Sequence, residues 1–238
     1  MARTEEAKQG MLTVYRKEIK YVIPIEVFVR IRNKLETVMK WDENSDVGGY
    51  TIRSQYYDSL NDRDLADKLF GHEEKRKIRL RIYSTEDEMV KLEYKGKSDS
   101  DGLKRSILIS REEALQMENH QYSFLLNREE PLAKQLYVKM MQGCYRPKTI
   151  ITYKRIAFSY PASNVRITFD TEVKATMNAY GLFKKDLVLA PIQDFDVGVL
   201  EVKYNNYLPS PFKMLIHQID SLTQANGKYA QARLRFAF

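Results

Sequence analysis

Residues Glu74–Lys97 read EKRKIRLRIYSTEDEMVKLEYKGK, and a two-residue period runs on both sides of the acidic turn Ser84-Thr85-Glu86-Asp87-Glu88. Side chains of a strand point alternately to opposite faces, so this period predicts a hairpin. Lys77, Arg79 and Arg81 share one face of its first strand and Ile78, Leu80 and Ile82 the other; on the return, Lys91, Glu93, Lys95 and Lys97 oppose Val90, Leu92 and Tyr94. The hairpin therefore has one apolar face and one strongly cationic face.

A wet outer face accounts for one such hairpin. The same code recurs along the chain, however. Arg16, Glu18 and Lys20 alternate with Lys17, Ile19 and Tyr21; Lys104 and Ser106 follow in GLKRSILIS; Arg166, Thr168 and Asp170 alternate with Val165, Ile167 and Phe169; Glu201 and Lys203 alternate with Leu200, Val202 and Tyr204. Most of these faces are Arg and Lys with isolated carboxylates among them. Like charges opposite one another across a ladder repel by roughly 0.2 to 1 kcal/mol a pair, and an anion would offset that. The expected fold class is mainly β (α+β): an antiparallel sheet closed into a tunnel or barrel of about eight strands, charged face inward, with accessory helices. A barrel of that size has room for one slender ligand.

The chain has 238 residues, 43% hydrophobic and 30% charged, which is ordinary for a globular protein. A loose polar N-terminus over residues 1–12 and a single domain over 13–238 are expected. Lys and Arg number 39 against 32 Asp and Glu, a formal charge of +7 that points to an acidic partner: nucleic acid, a membrane surface or free polyphosphate. Cys144, the one cysteine, rules out an internal disulfide and a cysteine-rich zinc site. With no signal-peptide core and no run approaching ~18 apolar residues, the expectation is a cytoplasmic protein without a membrane segment of its own. His72, His120 and His217 are too scattered for a triad or a zinc site, and no Gly-rich phosphate loop is present. A nucleotide would have to be held by side chains. The tyrosines are assigned to the β core.

Further strands are expected at Thr13–Ile23, Tyr50–Asp58, Gly102–Ser110, Tyr145–Tyr160, Asn164–Lys174 and Asp196–Tyr204. In the second of these, Arg53, Gln55 and Tyr57 oppose Ile52, Ser54 and Tyr56. Helices are expected at Pro24–Lys40, with Ile25, Phe28, Val29, Ile31, Leu35 and Val38 as core or as a plug, and at Asn61–Gly71, capped by Asn61 or Asp62. A helical block over Glu112–Gly143 opens on the capping-box pattern Ser110-Arg111-Glu112-Glu113. A last helix runs from Pro209 and Pro211 to about Leu222.

Arg79 and Arg81, two apart on one strand, bring two guanidinium forks to one face, and such forks bind phosphate through paired hydrogen bonds. A divalent metal on a nucleotide asks for oxygen ligands, and Glu201, Asp170, Glu93 and Glu18 are the carboxylates on the charged faces. Glu201 is the first choice. The alternative for each is a charge partner of neighbouring Lys or Arg.

The segments RKEIKY, SQYYD, IRLRIY, LEYKGK, GLKRS, YKRIAF, RITFD, LEVKY and a late GKY occur in that order. Together they resemble the polyphosphate polymerase domain of the vacuolar transporter chaperone (VTC) family, within the triphosphate tunnel metalloenzyme superfamily, over about Tyr15 to Tyr229. The resemblance implies a tunnel of antiparallel strands in which ATP binds with Mn²⁺ or Mg²⁺ and the γ-phosphate passes to pyrophosphate or a growing polyphosphate. It further implies that Lys20, Arg79, Arg81, Lys95, Lys104, Arg155, Lys203 and Lys228 hold phosphates. Glu201 is implied as the metal ligand, with Asp170, Glu93 and Glu18 as further candidates. Nucleic acid is not an expected partner. Membrane coupling, which eukaryotic forms build into extra segments, would need a separate membrane-protein partner.

Hydrolytic members of that superfamily resemble ExExK on the first strand, where this chain has Arg16, Glu18 and Lys20. Loss of the first glutamate favours transfer to a phosphate acceptor over attack by water. Two other activities fit the same charge pattern: a triphosphatase acting on nucleoside or inorganic triphosphate, and a sensor that binds polyphosphate or inositol polyphosphate without turnover.

Overall fold

The structure, a computed structural model, describes residues 16–43, 45, 48–72, 76–98, 101–217, 219 and 227–237. The loose N-terminus expected over residues 1–12 lies outside them. The strands are β1 (Arg16–Pro24), β2 (Lys40–Trp41), β3 (Tyr50–Asp58), β4 (Arg76–Ile82), β5 (Met89–Ser98), β6 (Asp101–Ser110), β7 (Arg146–Tyr160), β8 (Val165–Thr176), β9 (Ala190–Pro191) and β10 (Val197–Asn205). The α-helices are α1 (Ile25–Glu36), α2 (Arg63–Leu69), α3 (Arg111–Glu118), α4 (Pro131–Gln142), α5 (Ser210–His217) and α6 (Lys228–Arg235).

All ten strands join one sheet whose main path runs β1-β10-β8-β7-β3-β4-β5-β6, with β2 added to β7 and β9 to β8. Every pairing is antiparallel. The expected closure is corrected: β1 and β6 end the path and share no ladder. The sheet curls without sealing, so that Lys20 on β1 comes close enough to bear on the Lys77 ammonium of β4.

Alternation decides what each face meets. On the convex side of β4–β6, Ile78, Leu80, Ile82, Val90, Leu92 and Ile109 are buried beneath α3 and α4. The Ser110–Glu113 capping box forms with both of its bonds. On the convex side of β1, β10 and β8, Phe28, Ile31 and Leu35 of α1 pack with Phe169, Leu200 and Val202. The plug reading of α1 is thereby corrected: it lies outside the sheet, its Val29 is exposed, and so is Val38 just past its end. The element on the concave side is α6, a helix the sequence reading left unassigned. Its Tyr229 and Ala232 pack on Ile52, Tyr56, Ile151 and Tyr153, residues of β3 and β7 that share a face with Arg79 and Arg155.

The cap residue of α2 is one of the two expected, Asp62, but its side chain does not make the capping bond. It stands there with φ 54°, and its carboxylate instead accepts from both Nη atoms of Arg233, at 2.8 and 2.7 Å. The helix N–H groups go further back. Asp58, fully buried at the end of β3, accepts from the backbone of Ser59, Asp64 and Leu65 and from the Tyr229 hydroxyl at 2.7 Å. One carboxylate thus ties β3, α2 and α6 together. Asp58→Ala is expected to cost about 3 kcal/mol and Tyr229→Phe about 1 kcal/mol, because the first strands several donors and the second removes one. Urea unfolding of both variants measures this; equal losses would show that Asp58 does not organise the junction.

Candidate functional site

The β4–β6 wall of the concave face is built around Glu93. Cross-strand register sets Arg79 opposite Glu93, and Glu93 opposite Ser106. Arg79 Nε donates to Glu93 at 2.6 Å, Lys104 Nζ lies 2.7 Å from its other oxygen, and Arg81 Nη2 stands at 3.7 Å. Burial works against the charge on Glu93, but Arg79, Arg81 and Lys104 outweigh it and hold the carboxyl down at about 2. Arg79 Nη1 donates to the Tyr56 hydroxyl at 2.9 Å. Tyr56 is itself pulled both ways: burial pushes the phenol up, and Arg79, Lys77 and Arg81 bring it down to about 8.

The opposite wall carries Asp170 and Glu201. Register places Arg155 against Asp170 and Lys20 against Glu201. Arg155 donates to both oxygens of Asp170, at 2.6 and 2.7 Å, and Lys228 from α6 donates to the same carboxylate. Glu201 has Lys203 at 3.0 Å, Lys20 at 3.5 Å and Arg155 at 3.8 Å. Glu18 sits beside it, with Lys20 at 2.6 Å and Lys203 at 3.7 Å. Burial opposes ionisation of Glu18, yet contact with Glu201 and the two ammonium groups keeps its carboxyl well below the usual carboxylate range. Toward one end of the tunnel Tyr56 stacks on Tyr229, centroids 5.4 Å apart, and Lys228 lies 4.6 Å from the Tyr153 ring centroid.

Between the walls lies a cavity of about 560 Å³ lined by Arg81, Glu93 and Lys104 on one side and Arg155, Ser159 and Arg166 on the other, with Tyr50, Tyr83 and Lys91 at its rim. Several buried polar atoms on the concave face have no hydrogen-bond partner among the described residues: Arg81 Nε, Ser54 Oγ and Thr168 Oγ1.

Of the residues singled out in the sequence, Arg79, Arg81, Lys104 and Glu93 meet on one wall; Lys20, Lys203, Arg155, Lys228, Glu18, Glu201 and Asp170 meet on the other. Lys95 lies on the β5 strand of the first wall and is exposed. The side chain of Arg16 lies outside the described residues. The four carboxylates do not form one cluster, and among the described residues no three His, Cys, Asp or Glu side chains come together as a metal cage. Both Asp170 oxygens are taken by Arg155 and Lys228, and Glu93 is shared by three cations, so each serves its neighbours as a charge partner. Lys77, Lys91 and Arg166 also face inward, a position their alternation with Ile78, Leu92 and Ile167 already implied. Tyr56 and Tyr153 carried no such signal.

A family model for the VTC domain matches residues 15–236. The chain belongs to the VTC domain family. Among solved structures, a "putative adenylate cyclase" from Bacillus halodurans superposes with a TM-score of 0.52 at 11% identity, over 94% of this chain and 99% of that one. A Pyrococcus horikoshii protein matches at 16% identity with a TM-score of 0.45, over 93% of this chain and 99% of its own. At 11% identity the first of these speaks for a shared fold alone. No curated protein matches the chain at a significant level. No helix among the described residues is long and apolar enough to cross a membrane.

Asp170, on the concave face, is only 1% exposed. Burial would raise its carboxyl, but Arg155 and then Lys228 hold it at about 2 against an ordinary 3.8. A carboxyl depressed in the folded state stabilises above its unfolded pKa and loses that contribution as pH falls through the folded one. Asp170→Asn is therefore expected to cost about 3 to 5 kcal/mol at neutral pH, since it leaves a buried guanidinium unpaired. The gap between the variant and the parent should hold down to about pH 4 and shrink toward about pH 2. Urea unfolding at stepped pH reads the gap; one that does not change over that range would refute the pairing.

Proposed function

We propose that this VTC domain is a metal-dependent phosphotransferase that extends polyphosphate from ATP inside the basic tunnel. The observation that carries the reading is the buried Arg81 Nε, without a hydrogen-bond partner among the described residues, beside Glu93, a carboxylate already claimed by Arg79, Lys104 and Arg81 Nη2. Basic groups on the concave face outrun their carboxylates, and a phosphate chain supplies the missing acceptors along the length of a slender tunnel.

Mn²⁺ or Mg²⁺ needs few protein ligands when substrate phosphates and water complete its shell. The donor set fits that arrangement: Glu18 and Glu201 lie side by side, and the Glu201 oxygen nearer Arg155 has that group no closer than 3.8 Å. They would hold the metal, with Glu201 as principal ligand; Asp170 and Glu93 remain charge partners. When bound, the metal would neutralise charge on donor phosphate oxygens.

The chain's own residues do the positioning, which carries most of phosphoryl transfer together with electrostatics. Arg81 offers its free Nε. Arg79 is fixed by Glu93 and Tyr56, and Arg155 by Asp170, so each meets a phosphate already oriented. Lys20 and Lys203 flank the metal carboxylates, while Lys104 and Lys95 extend the basic wall and Lys228 the opposite one. Arg16, where hydrolases resemble a glutamate, supports an acceptor phosphate over an activated water. A membrane-protein partner and a cytoplasmic setting belong to the same proposal.

Purified protein with ATP, Mn²⁺ and a pyrophosphate primer should make polymer, seen on a gel. Free phosphate alone, whatever the primer, would promote the triphosphatase; tight binding with no turnover would promote the sensor. Within the reading, Arg81→Lys should weaken ATP binding by about tenfold or more through loss of the fork and leave the apo melting temperature nearly unchanged. Arg79→Lys should lower both. Glu201→Gln should retain ATP binding and lose most turnover. A Glu201→Gln variant as active as the parent at limiting Mn²⁺ would remove Glu201 from the metal site.

A further inference from the structure

Lys77, Lys95 and Lys104 stand directly opposite one another on three neighbouring strands, Lys77 against Lys95 and Lys95 against Lys104. Directly opposed like charges weaken a ladder. Lys104 is relieved by Glu93 at 2.7 Å. Among the described residues, no carboxylate stands within ion-pair distance of Lys77 or Lys95.

Lys77 is the more exacting case. Its charged neighbours are Arg79 on its own strand, Lys95 from β5 and Lys20 from β1, and β3 contributes the Tyr56 phenol. The Tyr56 ring centroid lies 6.0 Å from the Lys77 Nζ, and the Tyr56 hydroxyl is occupied by Arg79. Arg79, Lys20 and Lys95 all oppose the charge on Lys77, and Tyr56 is the one leading neighbour that favours it, whereas Arg79 has Glu93 and Lys20 has Glu18. A cation in that setting is a cost to the apo fold unless an anion arrives.

We propose that Lys77 is an anion-binding residue of the tunnel, which with Lys95 takes a phosphoryl oxygen of a polyphosphate-class ligand where the fold supplies no carboxylate. This rests on the reading of the tunnel as a polyanion site and adds a residue to it. A consequence follows for protons. Burial draws the Lys77 ammonium down, Arg79, Lys20 and Lys95 add to that, and Tyr56 offsets only part, leaving it at about 8. At about pH 8 half of the apo molecules therefore carry a neutral Lys77, and an entering phosphate oxygen draws one solvent proton onto each neutral amine. Binding and proton uptake are coupled.

The test is calorimetric titration of the metal-free protein with inorganic tripolyphosphate near pH 8, in two buffers of different ionisation enthalpy. The difference between buffers gives the protons taken up. Lys77→Arg keeps a charge that does not titrate and should bind within a few-fold of the parent while taking up about half a proton less; comparison with the same ligand cancels the ligand's own protons. Tyr56→Phe removes the share of the phenol and should leave that difference in place. Lys77→Met should weaken binding about ten- to a hundredfold. Equal proton uptake in parent and Lys77→Arg, or unweakened binding by Lys77→Met, overturns the proposal. If Arg81→Lys weakens binding while the Lys77 variants do not, the tunnel reading survives and this assignment alone falls; if the parent does not bind tripolyphosphate, both fall.

Discussion

Asp170 holds the charged interior together. It is buried to 1%, accepts from two nitrogens of Arg155 on the neighbouring strand, and receives Lys228 from the last helix. A buried carboxylate survives only when it is fully paired, and here the pairing spans β8, β7 and α6. The same contact therefore seats the C-terminal helix on the concave face and fixes Arg155, whose other neighbour is Glu201. Without it the guanidinium would lose its orientation, and α6 one of its polar anchors. Tyr229 and Asp58 make the second anchor of α6 from the apolar side.

Lys20 of β1 and Lys77 of β4 bear on one another across the interior. Each wall balances itself around its own acid: Glu93 on one side, Asp170 with the Glu18 and Glu201 pair on the other. Among the described residues neither wall supplies an acceptor to Arg81 Nε or a carboxylate to the Lys77 and Lys95 pair.

The alternation in Glu74–Lys97 was enough to separate the two faces of β4 and β5, because Ile78, Leu80 and Leu92 are buried completely and the intervening positions carry charge. Strand β3 was not legible in this way, since both of its faces carry polar groups. Its Arg53 and Gln55 point to the convex side, where the carbonyls of Leu182, Lys184 and Ala179 and the carboxylate of Glu118 receive them. The side that looked more polar is thus the packed one, and Tyr56 on the other meets Arg79. Helix α1 was legible as amphipathic but not as external, because an apolar stripe fits either side of a sheet. Helix α6 was missed because AQARLRF has few large apolar residues; its placement comes from Tyr229, Ala232 and three polar anchors at Lys228, Tyr229 and Arg233.

The candidate carboxylates show what sequence alone leaves open. Glu201, Asp170, Glu93 and Glu18 look alike in strands of alternating charge, and each could equally ligate a metal or neutralise a neighbour. Geometry separates them by how many lone pairs are already spoken for. Asp170 accepts two guanidinium bonds and an ammonium, and Glu93 meets three cations on its own wall. Glu201 is held by lysines at 3.0 and 3.5 Å on one oxygen and by Arg155 at only 3.8 Å on the other. Among the four, the Glu201 oxygen that faces Arg155 is the least engaged by cations, and this is the ground on which the proposed metal site is put at Glu201, beside Glu18.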